Sequence, residues 1–490
     1  MLFEDSTVAA LAARVEQQAG AGGRPVLAAR SRPERPSLAQ AQQRMWFLNR
    51  FEPESAFDNI PVVLRLSGTV DIAALLQAVT DLIARHEPLR TVYPSHDGVG
   101  YQLVLPPERA VPDMDIIETR GAALPGTELG SELLASILEF VSRGFDLTYE
   151  LPVRLRVYRL ADDEFVLAGV VHHIAADGFS MRPLTRDLMI AYVARSMGEV
   201  PEWEPMAVQY IDYAMWQREV LGSDDDPSSL VSRQLDFWRA ELADLPDVLP
   251  LSSRERPAIL GEHAETYKFR VPGALVDELN RVAQAQSVTL FMVVHSAYVA
   301  LLARLSATND IAVGIPVAGR GDRILDDLVG MFVNTLVLRT QVDTGASFSD
   351  LLAQVRDRDL QAFAHADVPF ERLVEVLNPV RTQSHQPLFQ VLLVFQNLGD
   401  IRLELPGLTV AGVGVDSPTT KYDLTLTLSG QVDDASGMEA ELLYATDLFD
   451  EEFAVGFADR FVRVLRAVVR DPALAVGDID LLGDVERVDV

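Results

Sequence analysis

The chain contains no cysteine. Disulfides, thiolate metal sites and a cysteine nucleophile are excluded together, and the absence suits a reducing cytoplasm, the expected location. Basic residues are scarce: 42 Lys and Arg stand against 72 Asp and Glu, a formal net charge of −30. No Lys/Arg-rich run occurs, so the footprint that displaces counterions from nucleic acid is missing and no nucleic-acid partner is expected. The acidic balance keeps a large protein soluble and repels polyanions, but says little about chemistry. The segment Met1 to Gln18 lacks the basic-then-apolar order of a secretory signal. Long apolar runs are absent too. The most apolar helical stretch, Thr289 to Leu305, contains His295, Ser296 and Arg304, is short for a membrane span, and reads as a buried core helix. No membrane partner is expected. No Gly-x-Ser-x-Gly elbow occurs, which weakens a serine-hydrolase triad.

What is present is ample material for folded cores. At 490 residues and 48% apolar content, a prior of roughly 100–200 residues per domain implies two or three units. Val8, Leu11, Ala12 and Val15 stand at helical spacing within 1–18. The Gly-, Pro- and Arg-rich run Ala19–Pro36 reads as a mobile linker. Dense patterning begins at Ser37. Val62–Ser67 reads as a strand, and Asp71–His86 as a helix with Ala74, Leu75, Ala78, Val79 and Leu82 on one stripe. A buried strand, Phe165–Val171, runs into a polar turn, followed by a helix with Pro183 in its first turn and Leu184, Leu188, Ala191, Tyr192 and Arg195 in its pattern. Gly222–Ser229 is an acidic, turn-rich break. Beyond it, strands are expected at Tyr267–Val271, Ile311–Pro316, Phe332–Thr340, Leu388–Gln396 and Tyr422–Ser429. Helices are expected at Ala274–Gln286, Leu290–Leu305 and Phe348–Ala364. This alternation predicts an α/β architecture in two lobes.

One local signal carries chemistry: His172-His173-Ile174-Ala175-Ala176-Asp177-Gly178, at the end of an apolar strand in a chain with only 8 histidines. Successive strand side chains face opposite ways, so one histidine is structural and the other is available to a substrate. The same divergence makes a metal site from His172, His173 and Asp177 poor, and no metal is expected. A buried Asp177 requires a cation or several donors. Gly178 either permits a tight turn or lets a ligand pass close to the backbone. A lone strand histidine is more often a core residue than a catalyst, so physical reading alone leaves an orienting or basic histidine with an unknown substrate.

The sequence resembles the condensation domains of nonribosomal peptide synthetases, whose catalytic motif His-His-x-x-x-Asp-Gly stands intact at His172–Gly178. Six further segments are similar to that family's motifs, in its order: Ser37–Leu48, Arg85–Tyr93, Tyr210–Gln217, Val329–Leu336, His365–Val374 and Arg381–Gln396. The resemblance implies two chloramphenicol-acetyltransferase-like lobes forming a V-shaped pseudodimer with a tunnel between them. It implies a first lobe over 37–221 and a second over 222–490, after a linker at 19–36. Peptide-bond formation between two carrier-bound thioesters is the implied activity. Within the motif it implies a catalytic set of His173, His172, Asp177 and Gly178, with His173 as the principal residue, and a structural ion pair between Asp177 and Arg320 in Gly314–Arg320. Gly178, Ser180, Trp216 and Asn334 are implied as the phosphopantetheine tunnel, whereas Arg44, Arg85 and Arg90 are expected to hold the lobe together. No cofactor is expected to be covalently attached to this chain; substrates would arrive on 4'-phosphopantetheine arms of an upstream donor and a downstream acceptor peptidyl carrier protein. Residues 1–18 resemble the last helix of a carrier protein leading directly into the domain, which implies an L-configured donor or glycine. The segment Val476–Val490 resembles the exit towards an adenylation domain. Two relatives on the same scaffold compete with this reading: an epimerization domain, whose Glu-Gly-His-Gly-Arg-type motif is absent here, and a non-catalytic domain that recruits partner enzymes, usually with a damaged histidine motif.

Overall fold

The computed structural model describes residues 24–119, 129–261, 263–396, 407–414, 419–430 and 437–482. The helix expected within 1–18 lies outside these residues, as does 483–490 of the expected exit segment.

The first lobe opens with helix α1 (Gln40–Phe51), strand β1 (Asn59–Gly68) and helix α2 (Ile72–Arg85). Asp71 caps α2 by accepting a hydrogen bond from Ala74 N, and the apolar stripe Ala74, Leu75, Ala78, Val79, Leu82 and Ile83 is buried. Then come β2 (Asp113–Glu118), α3 (Ser131–Val141), β3 (Val153–Ala161), β4 (Glu164–His172), α4 (Met181–Ser196) and α5 (Tyr210–Leu221). Along β4, Phe165 and Leu167 join one apolar cluster while Val166, Ala168 and Val170 join another. The strand therefore buries both faces, as its continuous apolar run requires.

The second lobe comprises α6 (Leu230–Glu241), β5 (Ala264–Val271), α7 (Gly273–Ala285), α8 (Leu290–Ser306), β6 (Asp310–Val317) and β7 (Asn334–Gln341). It continues through α9 (Phe348–Ala364), α10 (Phe370–Leu377), β8 (Val391–Gln396), β9 (Leu408–Gly412), β10 (Leu424–Ser429), β11 (Met438–Ala445) and α11 (Glu451–Arg470). Its sheet has the order β7-β6-β8-β10-β11-β5. Helix α8 is buried on nearly all sides within one large cluster. No single helix among the described residues is long and apolar enough to cross a membrane.

The first sheet runs β9-β1-β4-β3-β2, so it borrows β9 from the second half of the chain. The register Leu64↔Gly412 to Gly68↔Leu408 closes the exchange, and a division at 221/222 does not separate the two sheets completely. Gly68 has φ +128°, and a Cβ there would come within 2.4 Å of Gly407 O, so this crossing requires glycine.

Three further differences from the sequence expectation have physical causes. Residues 24–36 are fastened rather than mobile: Leu27 is buried against Tyr213 and Trp216, Trp216 Nε1 donates to Pro25 O, and Arg24 pairs with Asp367 of the second lobe at 2.6 Å. Strand β7 begins at Asn334 because Phe332 N donates to Asp177 instead of to a strand neighbour. Strand β8 begins at Val391 because Leu388 has φ +70° and the Gln390 side chain accepts from Leu249 N.

Candidate active site at the junction of the lobes

Strand β4 delivers two histidines with opposite fates. His172 is 2% exposed; its Nδ1 accepts from Ile174 N at 3.1 Å, and its ring meets Phe145 edge-on at 5.8 Å. Burial first, then the nearby His173 and Arg154, push its pKa down to about 4 against the opposing pull of Asp58. His172 is thus a neutral acceptor that closes the turn. His173 is half-buried, and its backbone N–H donates to Asp58 O at 2.7 Å. Its Nδ1 is buried without a hydrogen-bond partner among the described residues, so the ring retains polar capacity.

Asp177 is fully buried and caps the 3₁₀ turn Gly178–Ser180. Its Oδ1 accepts from Ser180 N and Ser180 Oγ, both at 2.8 Å, and from Arg320 Nη2 at 3.0 Å. Its Oδ2 accepts from Phe332 N at 3.0 Å. Arg320 also donates to Leu325 O and Leu328 O and lies 4.1 Å over the Phe332 ring. This ion pair joins the His172–Gly178 turn of the first lobe to the 318–333 loop of the second. Tyr210 reinforces it, donating from its hydroxyl to Met331 O at 2.6 Å.

Gly178 is exposed, and a Cβ there would meet nothing within 4 Å; its φ is not left-handed. Open space, not backbone strain, distinguishes this position. The other expected tunnel residues behave differently. Ser180 is fully buried, and its hydroxyl accepts from Asp177 N and Gly330 N and sits 3.0 Å from Gly330 O. It joins the lobes instead of lining a passage, because all its hydrogen-bonding capacity is spent on the chain. Asn334 borders a cleft, but its amide donates to Ala366 O and Val368 O and accepts from Thr335 N and Phe370 N. Its four polar positions serve the turn before α10 and leave none for a ligand. Trp216 borders the same cleft with its indole N–H committed to Pro25 O.

Two clefts open between the lobes. One, of about 700 Å³, is lined by Arg24, Trp216, Arg320, Phe332 and Asn334. The other, of about 1010 Å³, is lined by Arg44, Phe47, Glu371 and Arg381. Ala41 lines the first and Gln43 and Phe47 the second, so they lie on opposite sides of α1. His173 lines neither. Arg44 reaches Glu371 across the lobes at 3.3 Å, Arg85 pairs with Asp187 at 2.8 Å, and Arg90 donates to Ala84 O and Leu105 O.

Sequence reasoning did not single out Gln42, which is fully buried and donates to Ile174 O at 3.0 Å, fixing the residue after His173. A glutamine inside the otherwise amphipathic opening motif was the available signal. Nor did it single out Tyr210, whose aromatic motif gives no hint of a carbonyl partner in the other lobe.

Comparison with known proteins matches this arrangement. The family model for the condensation domain covers residues 34–490. The chain is 45% identical, over 99% of its length, to a dimodular nonribosomal peptide synthase of Bacillus subtilis (strain 168), spanning 20% of that protein. It is 41% identical, over 95% of its length, to the isonitrile lipopeptide synthase of Mycobacterium tuberculosis (strain ATCC 25618 / H37Rv), spanning 18% of it. The chain thus spans about a fifth of each of these two relatives. Among solved structures, the X-domain in complex with OxyB from teicoplanin biosynthesis superposes with TM-score 0.84 at 34% identity, covering 95% of this chain and 100% of the other. A holo four-domain nonribosomal peptide synthetase bound to AMP and glycine gives TM-score 0.80 at 25% identity, covering 94% of this chain and 35% of the other. The two sheets with their helical layers have the paired chloramphenicol-acetyltransferase-like lobes of these neighbours, and the chain belongs to the condensation domain family of nonribosomal peptide synthetases.

Proposed function

We propose that this domain forms a peptide bond: the amine of an acceptor aminoacyl-carrier attacks the thioester of an upstream, L-configured donor on its carrier. The amine must be neutral to attack. The carbonyl carbon gains a C–N bond, the tetrahedral intermediate carries an oxyanion and a nitrogen cation, and collapse expels the donor thiolate. The nitrogen loses a proton and the thiolate gains one. A thioester is already activated, so no acyl-enzyme is needed. Holding both tethered substrates in near-attack geometry can supply roughly 7–11 kcal/mol at best. A histidine that orients the amine or accepts its proton adds about 10²–10⁴-fold.

The observation that carries this reading is His173: its Nδ1 is unpartnered, it precedes the open space at Gly178, and the turn is locked by Asp177 and Arg320. The substrates would arrive on phosphopantetheine arms of carrier proteins, with an adenylation domain as a further neighbour. A second reading, recruitment of a partner enzyme, draws on the likeness to the X-domain seen with OxyB. The intact histidine motif and its ordered turn weigh against it.

Donor and acceptor thioesters on separate carriers, with intact-mass readout, test the proposal. A dipeptidyl carrier formed by wild type and nearly lost with His173→Ala is the expected result. Full wild-type rates in His173→Ala remove that residue from the mechanism. Absence of any peptide bond with several substrate pairs, alongside capture of a partner enzyme, makes recruitment the function.

A further inference from the structure

Behind the catalytic turn lies a charge that neither the motif nor the ion-pair network explains. Arg154, on β3, is 2% exposed and forms no ion pair within 4.0 Å among the described residues. Its Nε and Nη1 are buried without partners, and its Nη2 donates to Arg143 O. A buried guanidinium without a carboxylate in contact is costly; Asp113 and Glu150 attract it only from farther away, so its close contacts must offset the rest. They are aromatic: Arg154 Cζ lies 3.8 Å over the face of Phe145 and 6.0 Å from Phe140.

The strand register shows where this charge acts. Arg154 pairs with Val170 on β4, and Asn59 on β1 pairs with His172. Directly paired residues share a face, and so do residues two apart, so Arg154, Val170, His172 and Asn59 occupy one face. Asn59 Nδ2 donates to Val141 O at 2.8 Å and to Arg143 O at 2.9 Å. Arg154 and Asn59 therefore hold the same carbonyl, and with it the segment that carries Phe145. That ring and the His172 ring stand edge-to-face, 5.8 Å apart at an interplanar angle of 86°. The result is a chain of contacts: the guanidinium on the Phe145 face, and Phe145 edge-to-face with the His172 ring.

We propose that Arg154 is a positioning residue for His173. Its guanidinium, acting through Phe145 and through its charge, holds His172 as the neutral tautomer whose Nδ1 accepts the Ile174 N–H. That hydrogen bond spans His173 and sets the direction in which its ring leaves the strand. A protonated His172 would lose this acceptor and release the turn. The charged and titratable groups that act on His172 are Asp58, which favours its protonation, and His173 and Arg154, which oppose it. The inference rests on the reading of His173 as the catalytic group.

The test combines histidine ¹⁵N resonances, which report tautomer and titration of His172 directly, with condensation kinetics. In Arg154→Met, which keeps the apolar bulk, His172 is expected to titrate at a higher pH than in wild type. The kcat for condensation is expected to fall about ten- to a hundred-fold with little change in KM for either carrier, as for a misaligned catalytic group. Arg154→Lys keeps the charge and should recover most of the titration behaviour and part of kcat. A folded Arg154→Met with wild-type His172 titration and kcat overturns the proposal. If Arg154→Met does not fold, Phe145→Leu and Arg154→Lys decide: wild-type tautomer and kcat in both also overturn it. Should wild type form no peptide bond, the resonances still test the coupling to His172, and the failure belongs to the proposed reaction.

Discussion

The two lobes share a plan of a sheet backed by helices, yet they bury different chemistry. The second lobe has one continuous apolar cluster reaching from Trp238 to Ile479, with α8 at its centre. Its buried polar groups are paired within the lobe, as His295 with Asp359 at 3.2 Å and Arg256 with Asp423. In the first lobe the core splits into two clusters on either face of β4. Its buried polar groups include His86, Arg154, His172, Asp177 and Asp187, and Asp177 finds its cation only in the other lobe. A polar interior is expensive, and part of it, His172 and Asp177, brackets the His172–Gly178 turn. The second lobe closes these pairs within itself, whereas the Asp177 turn of the first lobe depends on Arg320 of its partner.

Removing Asp177 should break this dependence most severely. Asp177→Ala leaves Arg320 buried at 5% side-chain exposure without its carboxylate, a loss expected to cost about 3–5 kcal/mol. Urea unfolding followed by hydrogen exchange should place the early loss at the first lobe and the 318–333 loop. Destabilisation confined to the second lobe would contradict the comparison.

Acid should separate the lobes next. The folded His172 titrates at about 4, below a free imidazole at about 6.5. Between these values the unfolded chain binds a proton that the folded chain does not, so stability falls as pH falls, by about 3 kcal/mol in all. His86, depressed by burial, acts in the same direction. Asp423 in the second lobe is raised by burial, so its contribution declines as pH rises, the opposite sign. Lobe-resolved exchange between pH 7 and 4 should show the first lobe loosening first, and His172→Gln should flatten that slope.

How much of this was legible in the sequence depends on what stabilises each element. The α2 stripe and the apolar runs of β4 and α8 declare themselves, because burial alone forms them. Strand β2 does not. Its Asp113, Asp115 and Glu118 are exposed and lack apolar alternation; the strand is held by the register with Arg154, Arg156 and Arg159 of β3. Strand β9 is equally silent, since its partner lies more than 300 residues earlier. At the site, the period of a strand separates His172 from His173 without further help. Arg320, 143 residues from Asp177, came only from the family resemblance. Ser180 and Asn334 sit inside motifs, but motif membership does not tell a wall from a joint. Only their hydrogen-bond partners do.

The second lobe's internal pair gives a smaller effect. Asp359→Ala strands His295 Nδ1, buried at 0% exposure, and should cost about 1–3 kcal/mol. Condensation kcat should stay near wild type, because neither side chain contacts the junction. A large kcat loss at preserved stability would make the second lobe more than scaffold.

The smallest effect is expected where the lobes are bridged in solvent. Arg24 is 51% exposed in its pair with Asp367, so Arg24→Ala should change stability by about 1 kcal/mol or less, and less still in high salt. Leu27, on the same strap and buried against α5, provides the contrast: Leu27→Ala should cost about 2–5 kcal/mol. If the two variants were equal, the strap would be held by charge. If Leu27→Ala dominates, apolar burial against α5 anchors 24–36 to the first lobe, and its reach to the second is a light contact. The first lobe then depends on its partner through the Asp177 joint and the β9 exchange, not through the strap.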